Sequence, residues 1–370
     1  MDIAEDEQGT RAAGKRARRP VRIAVVGAGL IGARHIEEIL RSASADLSAI
    51  VDVSPAAAAL ASRLKVPLHG SLADLFKRDR PDGLVLATPN RLHVEQGMQC
   101  VKARVPVLIE KPLAHSEEGA LRLCEASEAS GVAVLVGHHR RHSPILTAAL
   151  EVVRSRVMGT LVGVMGSAVF YKPDSEGYYD GPNAWRREPG GGPILINMVH
   201  EIDCLRALVG EIVSVQAIAA SGTRGFQVED TAVINLRFDN GALGSFFLSD
   251  TGACPRSWEQ TARENAAFAA YEDEDCYTIV GTHGCLAIPT MRLRYYEREA
   301  DRSWHRPFRT RTIPFERQDP LERQIEHFAR VIRSGAAPLV TARDGLQNVR
   351  VAGAIARAAS TRGSVEIPVH

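Results

Sequence analysis

An apolar run, Val21 to Val26, leads into Gly27-Ala28-Gly29-Leu30-Ile31-Gly32, which opens a helix-like stretch from Ile31 to Leu40. A second apolar run, Leu47 to Val51, ends at Asp52, twenty residues beyond Gly32. Strand, glycine turn, helix, strand and acid, in that order, predict a βαβ unit of the dinucleotide-binding type. Gly27 permits the tight turn, Gly29 lets the backbone approach a pyrophosphate, and Gly32 lets the helix pack close to the strand. The helix N-terminus adds free N–H groups and the positive end of its dipole. Asp52 would hold both ribose hydroxyls and repel a 2′-phosphate, and Val53-Ser54-Pro55 supplies no arginine to welcome one. NAD is therefore expected in preference to NADP.

The alternation continues. Pro55 to Leu64 reads as a helix, and Ser71, with Asp74 three residues on, reads as the N-cap of a short one. Leu84 to Ala87 is a buried strand ending in Thr88-Pro89-Asn90, followed by a helix from Val94 to Ala103 and a strand from Val105 to Glu110. Ser116 caps a helix that Gly131 stops, and Val132 to Val136 is another strand. Short all-apolar strands between helices predict a parallel sheet covered on both faces. Ligands of such sheets bind at the carboxyl ends of the strands. That singles out residues 27–32, 52, 88–93, 110–112 and 137–141.

Beyond residue 150 the pattern changes. Leu161 to Tyr171 and Ile212 to Ser221 read as long strands, and Val228 to Phe238 and Ala242 to Ser249 flank the hairpin signal Asp239-Asn240-Gly241. Tyr277 to Val280 and Arg292 to Glu297 are further strand candidates, and Thr341 with Asp344 caps a final helix through about Ala359. The fold class is α/β: an N-terminal Rossmann doubly wound parallel sheet plus a C-terminal α/β domain with a large, mostly antiparallel open sheet. The stretch from Thr251 to Cys276 has no clear periodicity and is long for a loop, so it is functional or mobile.

Composition bounds the function. The 370 residues suggest two domains, and 45 Lys and Arg against 44 Asp and Glu leave no electrostatic footprint for nucleic acid or an anionic membrane. Residues 1–20 read as a disordered leader with one basic cluster, Lys15 to Arg19; lacking an apolar core, the leader is not an export signal. The six cysteines form no C-x-x-C pattern and read as reduced thiols of a cytoplasmic protein. No apolar run approaches the ~20 residues of a membrane span.

The chain resembles the glucose–fructose oxidoreductase, inositol dehydrogenase and MocA (Gfo/Idh/MocA) superfamily of NAD(P)-dependent oxidoreductases. The likeness rests on Val26 to Gly32 with Arg34-His35, Ala87-Thr88-Pro89-Asn90-x-x-His93, Glu110-Lys111-Pro112 and Gly137-His138-His139-Arg140-Arg141. Trp185-Arg186 and Gly190-Gly191-Gly192 leading to Asn197-x-x-His200-x-x-Asp203 complete the series, which spans about residues 21–368. The resemblance implies an NAD-binding domain over 21–142 and a substrate-binding and oligomerisation domain over 143–370. It implies that Thr88, Asn90 and His93 line the cofactor, that Glu110 meets the nicotinamide ribose, and that Lys111 contacts the substrate hydroxyl before a cis bond to Pro112.

The chemistry constrains the same residues. Oxidising a secondary alcohol removes a hydride from carbon and a proton from oxygen, so the protein must fix the carbon and take the proton. Lys111, at a strand end, can polarise the oxygen, and His200 can exchange the proton. His200 is expected on a helix from Pro193 to Val209, with Asn197, His200 and Asp203 on one side. Many members of the superfamily carry an Asp four residues before this histidine; here that position is Ile196. Lys111 and His200 are therefore expected to share the acid–base role while Asn197 positions a substrate hydroxyl.

His139, Arg140, Trp185, Arg186, Asn197 and Asp203 are the expected substrate contacts, Arg140 or Arg141 either holding a substrate carboxylate or pinning the domain interface. No metal site is expected: His138, His139 and His142 have no carboxylate or cysteine at ligand spacing. These features predict an NAD-dependent dehydrogenase of a small sugar, inositol-like polyol or cyclic diol, with room for an acidic sugar. The alternatives are glycoside hydrolysis or elimination by transient oxidation, and a non-catalytic NAD-binding regulator. A dimer or tetramer is expected through an open sheet face carrying Ala232, Ile234, Leu236 and Phe238 opposite Val233 and Asn235.

Overall fold

The computed structural model describes residues 19–174 and 177–369; residues 1–18, most of the expected leader, lie outside the described residues. Six parallel strands form the first sheet: β1 (Val21–Val26), β2 (Ala45–Val51), β3 (Leu68–His69), β4 (Gly83–Leu86), β5 (Val107–Glu110) and β6 (Val134–Gly137). Their order is β3-β2-β1-β4-β5-β6, and the crossovers are α1 (Leu30–Arg41), α2 (Pro55–Leu64), α3 (Leu72–Arg78), α4 (His93–Lys102) and α5 (Glu117–Ser130). This doubly wound order places the crevice between β1 and β4, where the winding reverses. β4, β5 and β6 are buried throughout, so their hydrophobic runs are satisfied by helices on both faces. The caps lie where the sequence places them: Ser71 and Ser116 accept the backbone N–H of Asp74 and Gly119.

After α6 (Pro144–Arg154) the chain enters a nine-stranded sheet. Its strands are β7 (Leu161–Val169), β8 (Ile212–Ala220), β9 (Thr231–Phe238), β10 (Leu243–Ser249), β11 (Tyr277–Gly281), β12 (Gly284–Ile288), β13 (Arg292–Tyr295), β14 (Arg309–Thr312) and the terminal β15 (Val365–Glu366). All neighbours are antiparallel except β7 and β10. Between β7 and β8 run α7 (Pro193–Ile196) and α8 (Met198–Val209); α9 (Trp258–Thr261) lies between β10 and β11. The chain ends with α10 (Pro320–Ser334), α11 (Ala342–Thr361) and β15. Thr341 and Asp344 form a reciprocal capping box at the start of α11.

Three expectations change. Ala232, Ile234, Leu236 and Phe238 do not form an open face; all four are core residues beneath α8 and α11. The strand alternation turns Val233 outward instead, beside Met165, Ile218 and Phe247, which are 46%, 57%, 76% and 45% exposed. Residues 320–334, expected in the second domain, return to the first. From α10, Ile325, Phe328, Ala329 and Val331 pack with Val21, Ile23 and Val25 of β1. Finally, the helix expected from Pro193 to Val209 is broken at Asn197, whose φ of −105° separates α7 from α8. All six cysteines are free, and among the described residues no helix is long and apolar enough to cross a membrane.

Candidate active site

The glycine turn is built around contacts that a side chain would destroy. Gly27 has φ +86°, and a Cβ there would sit 2.8 Å from the Ala87 carbonyl oxygen. A Cβ on Gly32 would lie 1.9 Å from the Gly27 oxygen, so α1 can start against β1 only with glycine at that position. Gly29 is different: nothing lies within 4 Å of where its Cβ would stand. Gly29 also N-caps α1 without any side-chain hydrogen bond, leaving the first-turn N–H groups available to an anion. Asp52 Oδ2 accepts the Ala28 N–H at 2.7 Å and Oδ1 the Ser54 N–H at 2.7 Å. Burial pushes this carboxyl up, but the two backbone donors outweigh it and hold it below its usual range. Leu30 and Val53 flank the turn, 90% and 86% exposed. A turn open at Gly29, uncapped N–H groups and an ionised acid on the next strand fit a dinucleotide, with phosphates at α1 and a ribose at Asp52.

At the next strand ends the contacts differ from those expected. His93 does not line the crevice: it is fully buried, with Nε2 2.8 Å from the Thr88 oxygen and Nδ1 2.9 Å from the Pro112 oxygen. Burial lowers its imidazole against the pull of the two carbonyls, and the ring lies between the Thr88 turn and the Lys111–Pro112 segment, whose peptide is cis; when neutral it donates to one of them. Thr88 donates its hydroxyl to Gln96 at 2.6 Å, and Asn90 begins a single 3-10 turn. Glu110 receives His35 Nε2 at 2.7 Å and the Lys111 N–H at 3.2 Å. Burial pushes Glu110 up, yet His35 and Lys111 together hold it down at about 2.

Lys111 reaches across to the second domain, where its Nζ lies 3.5 Å from the Ile196 carbonyl oxygen. In an unbroken helix that carbonyl would accept the His200 N–H. At the Asn197 break His200 bonds instead to the Asn197 oxygen at 3.1 Å, which frees Ile196 for Lys111. The imidazole of His200 is 8% exposed, edge-on to His139 and His138 at 5.3 and 6.0 Å. Its Nδ1 has no hydrogen-bond partner among the described residues. Burial, reinforced by Lys111 and Arg140, pushes His200 far below the usual histidine range, so the ring is neutral. Burial likewise lowers the Lys111 ammonium, and lowers His139 to about 4.

Two expected substrate residues are spent inside the protein. Arg140 is 2% exposed and gripped by Glu201 at 2.7 Å and by Glu259, with Trp258 stacked at 5.4 Å. It pins the 251–276 segment to the Rossmann domain and has no face left for a substrate. Asp203 is 1% exposed and accepts Asn348 Nδ2 at 3.0 Å and Arg141 at 3.4 Å, because α11 packs directly against α8 there. Trp185 is 43% exposed, while the Arg186 guanidinium stacks 4.0 Å over the Tyr178 ring and donates to the Tyr178 carbonyl at 2.8 Å. Asn197 points its Oδ1 at Lys172, whose Nζ is 2.5 Å away and 2.9 Å from the Tyr178 hydroxyl.

Comparison with known proteins fits this architecture. Residues 21–138 match the family model described as the NAD-binding Rossmann fold of the Gfo/Idh/MocA oxidoreductases, and residues 151–367 match the model of that family's C-terminal alpha/beta domain. The chain belongs to the Gfo/Idh/MocA oxidoreductase family. A 1,5-anhydro-D-fructose reductase of Ensifer adhaerens is 26% identical over 311 residues, covering 80% of this chain and 83% of its own. An inositol 2-dehydrogenase of Rubrobacter xylanophilus is 28% identical over 284 residues, 73% and 72% of the two chains. The crystal structure of the WlbA dehydrogenase from Bordetella pertussis, in complex with NADH and UDP-GlcNAcA, superposes with a TM-score of 0.75 at 26% identity. That superposition covers 95% of this chain and all of WlbA's (100%).

Within this Gfo/Idh/MocA chain, the sequence named His35 in a motif without giving it a role and passed over Lys172. The place of His35 within α1 shows no partner, and only the fold reveals its bond to Glu110 at the end of β5. Lys172 did carry a signal: Lys172-Pro173 follows a strand, as Lys111-Pro112 does.

Proposed function

We propose that the chain is an NAD-dependent dehydrogenase that oxidises a secondary hydroxyl of a small polyhydroxylated compound, a sugar, an inositol-like polyol or a cyclic diol. The observation that carries this reading is that Lys111, at the carboxyl end of β5, reaches the Ile196 carbonyl one turn before the buried, neutral imidazole of His200 on α8. When bound, NAD supplies the hydride acceptor. Gly27 to Gly32 with the N-terminus of α1 would hold its phosphates and Asp52 the adenosine ribose, while Glu110 would hold the second ribose. An ionised Asp52 repels a 2′-phosphate, which favours NAD over NADP.

Lys111 Nζ donates to the reacting oxygen and stabilises the negative charge that develops there. His200, held neutral, offers a free ring nitrogen to accept the departing proton. Asn197 has its Oδ1 occupied by Lys172 and keeps Nδ2 to donate to a neighbouring hydroxyl. The relatives described above, named for an anhydrofructose and an inositol, support a polyol substrate. The test is NADH formation at 340 nm over a panel of sugars, polyols, sugar acids and cis-diols. A substrate should emerge, with kcat in Lys111→Ala reduced by roughly 10²–10⁴-fold. Equal turnover in Lys111→Ala and wild type would remove the acid–base assignment, and product formation without NADH would indicate transient oxidation.

The exposed row of Met165, Ile218, Val233 and Phe247 suits a contact between copies of the chain. Light scattering of the wild type and of Val233→Glu tests it: a dimer or tetramer should dissociate in the variant.

A further inference from the structure

Lys172 lies just past β7, is 6% exposed, and donates to two neutral oxygens, those of Asn197 and Tyr178. Its ammonium also sits 4.5 Å from the centre of the Tyr178 ring. No carboxylate among the described residues forms an ion pair with it or with Lys111. The nearby acids are all committed elsewhere. Asp250 is held by Arg224 at 3.1 Å and by the Tyr179 hydroxyl, Asp174 by Arg224 at 2.6 Å, and Glu201 and Glu259 both by Arg140. Arg186, across Tyr178, has no ion pair among the described residues either.

The two lysines converge on adjacent residues. Lys111 is received by the carbonyl of Ile196 and Lys172 by the side chain of Asn197. Residues 196 and 197 offer only a carbonyl and an amide; the Glu110 carboxylate beside Lys111 is already bonded to His35, so neither ammonium has a direct ion-pair partner among the described residues. A buried ammonium without a counter-ion is an expensive arrangement for a protein to keep. It becomes favourable when a ligand brings the missing negative charge into the same low-dielectric space.

We propose that the substrate is a hydroxy-carboxylate and that Lys172 binds its carboxylate while Lys111 meets the hydroxyl to be oxidised. The proposal rests on the dehydrogenase reading for the hydroxyl, but the carboxylate contact stands on Lys172 and its surroundings. Their supports on residues 196 and 197 bring both lysines to the same break between α7 and α8, so one small molecule bound there can meet both. Polyhydroxy acids and uronates carry both groups; neutral hexoses and inositols bring Lys172 no charge beyond its bonds to Asn197 and Tyr178.

The test is binding to the NADH-loaded full chain, read by NADH fluorescence and by calorimetry, with L-tartrate, D-gluconate and D-glucuronate set against their uncharged amides. Each carboxylate that binds should do so at least ten times more tightly than its amide. That preference should vanish in Lys172→Met and survive in Lys172→Arg. Equal affinity of acid and amide, or no acid bound at all, overturns the proposal. Because acid and amide are compared on the unaltered protein, the answer does not depend on any variant folding. Turnover separates the two readings. Oxidation of neutral polyols with the acids ignored keeps the dehydrogenase and removes Lys172 from the substrate. Tight binding of acids without any NADH chemistry does the reverse.

Discussion

The two halves of the active site differ in how complete they are without a ligand. At the dinucleotide end the carboxylates are already satisfied. Asp52 takes two backbone N–H groups, and Glu110, held at about 2, takes His35 and the Lys111 N–H. Across the crevice, groups are pushed by burial toward their uncharged forms: Lys172 down to about 8, His139 down to about 4, Glu264 up to about 7. The first half is pre-organised by backbone geometry. The second is poised for a charge that the protein itself does not supply, which is where binding energy and specificity can be concentrated.

The largest expected effect would break the pre-organised half alone. A Cβ at Gly32 must overlap the Gly27 oxygen, so Gly32→Ala should displace α1 from β1 and raise the Kd for NAD by at least roughly 100-fold, about 3 kcal/mol. Isothermal titration with NADH checks this. If the loss is smaller than tenfold, the glycine turn is not the fixed cradle described above.

The second prediction reverses the usual direction of a mutation. Lys172 is pushed from the ordinary lysine value to about 8, mainly by burial. The unfolded chain therefore holds this proton more tightly, and the charged lysine weakens the fold at neutral pH. Wild-type stability should rise as pH increases from 8 toward 10.5. Lys172→Met should stabilise the apo protein at pH 7 by about 1–3 kcal/mol, read from urea unfolding, while weakening ligand binding. A destabilised Lys172→Met would mean that the bonds to Asn197 and Tyr178 outweigh the desolvation, and the contrast between the two halves would fade.

The same contrast explains what could be read from the sequence. The dinucleotide end is local: turn, helix and acid occupy residues 27–52, and each glycine has one geometric reason to be there. The opposite side of the crevice is assembled from residues 111, 138–139, 172 and 197–200, and no periodicity links them. Arg140 could be read as a substrate ligand because Glu201 and Glu259 reach it only in three dimensions. Ile196 read as the loss of an acid, yet the break at Asn197 puts its backbone carbonyl within reach of Lys111, something a side-chain pattern does not reveal. α10 was legible in principle: Asp319-Pro320 is a cap and N1 pair before an apolar stripe of Ile325, Phe328 and Ala329. Its return to the first sheet was not, since strand-and-helix alternation had already accounted for that sheet.

A third, smaller effect sharpens the cofactor half. Asp52→Asn keeps the side chain's shape and one acceptor for the Ala28 and Ser54 N–H groups but removes the charge. The Kd for NAD should rise about tenfold, roughly 1.4 kcal/mol, while that for NADP falls. Unchanged discrimination between the two cofactors would show that the charge of Asp52 does not set the preference.

The smallest effect isolates one poised acid. Glu264 is raised from 4.5 to about 7, first by burial, although it accepts hydrogen bonds from Ser143 and from Trp258 Nε1 at 2.8 Å. Because the folded chain holds this proton more tightly than the unfolded one, the contribution of Glu264 is intact below pH 4.5 and is lost as pH rises through 7. Gln at this position can still accept from Trp258 and can donate to the Ser143 oxygen, so it imitates the protonated acid. Glu264→Gln should therefore match the wild type near pH 4.5 and exceed it at pH 8 by about 1–2 kcal/mol. A stability difference that does not change with pH would mean that Glu264 ionises as freely in the fold as outside it. The buried wedge of Trp258, Glu259 and Glu264 against the Rossmann domain would then be wetter than its packing implies.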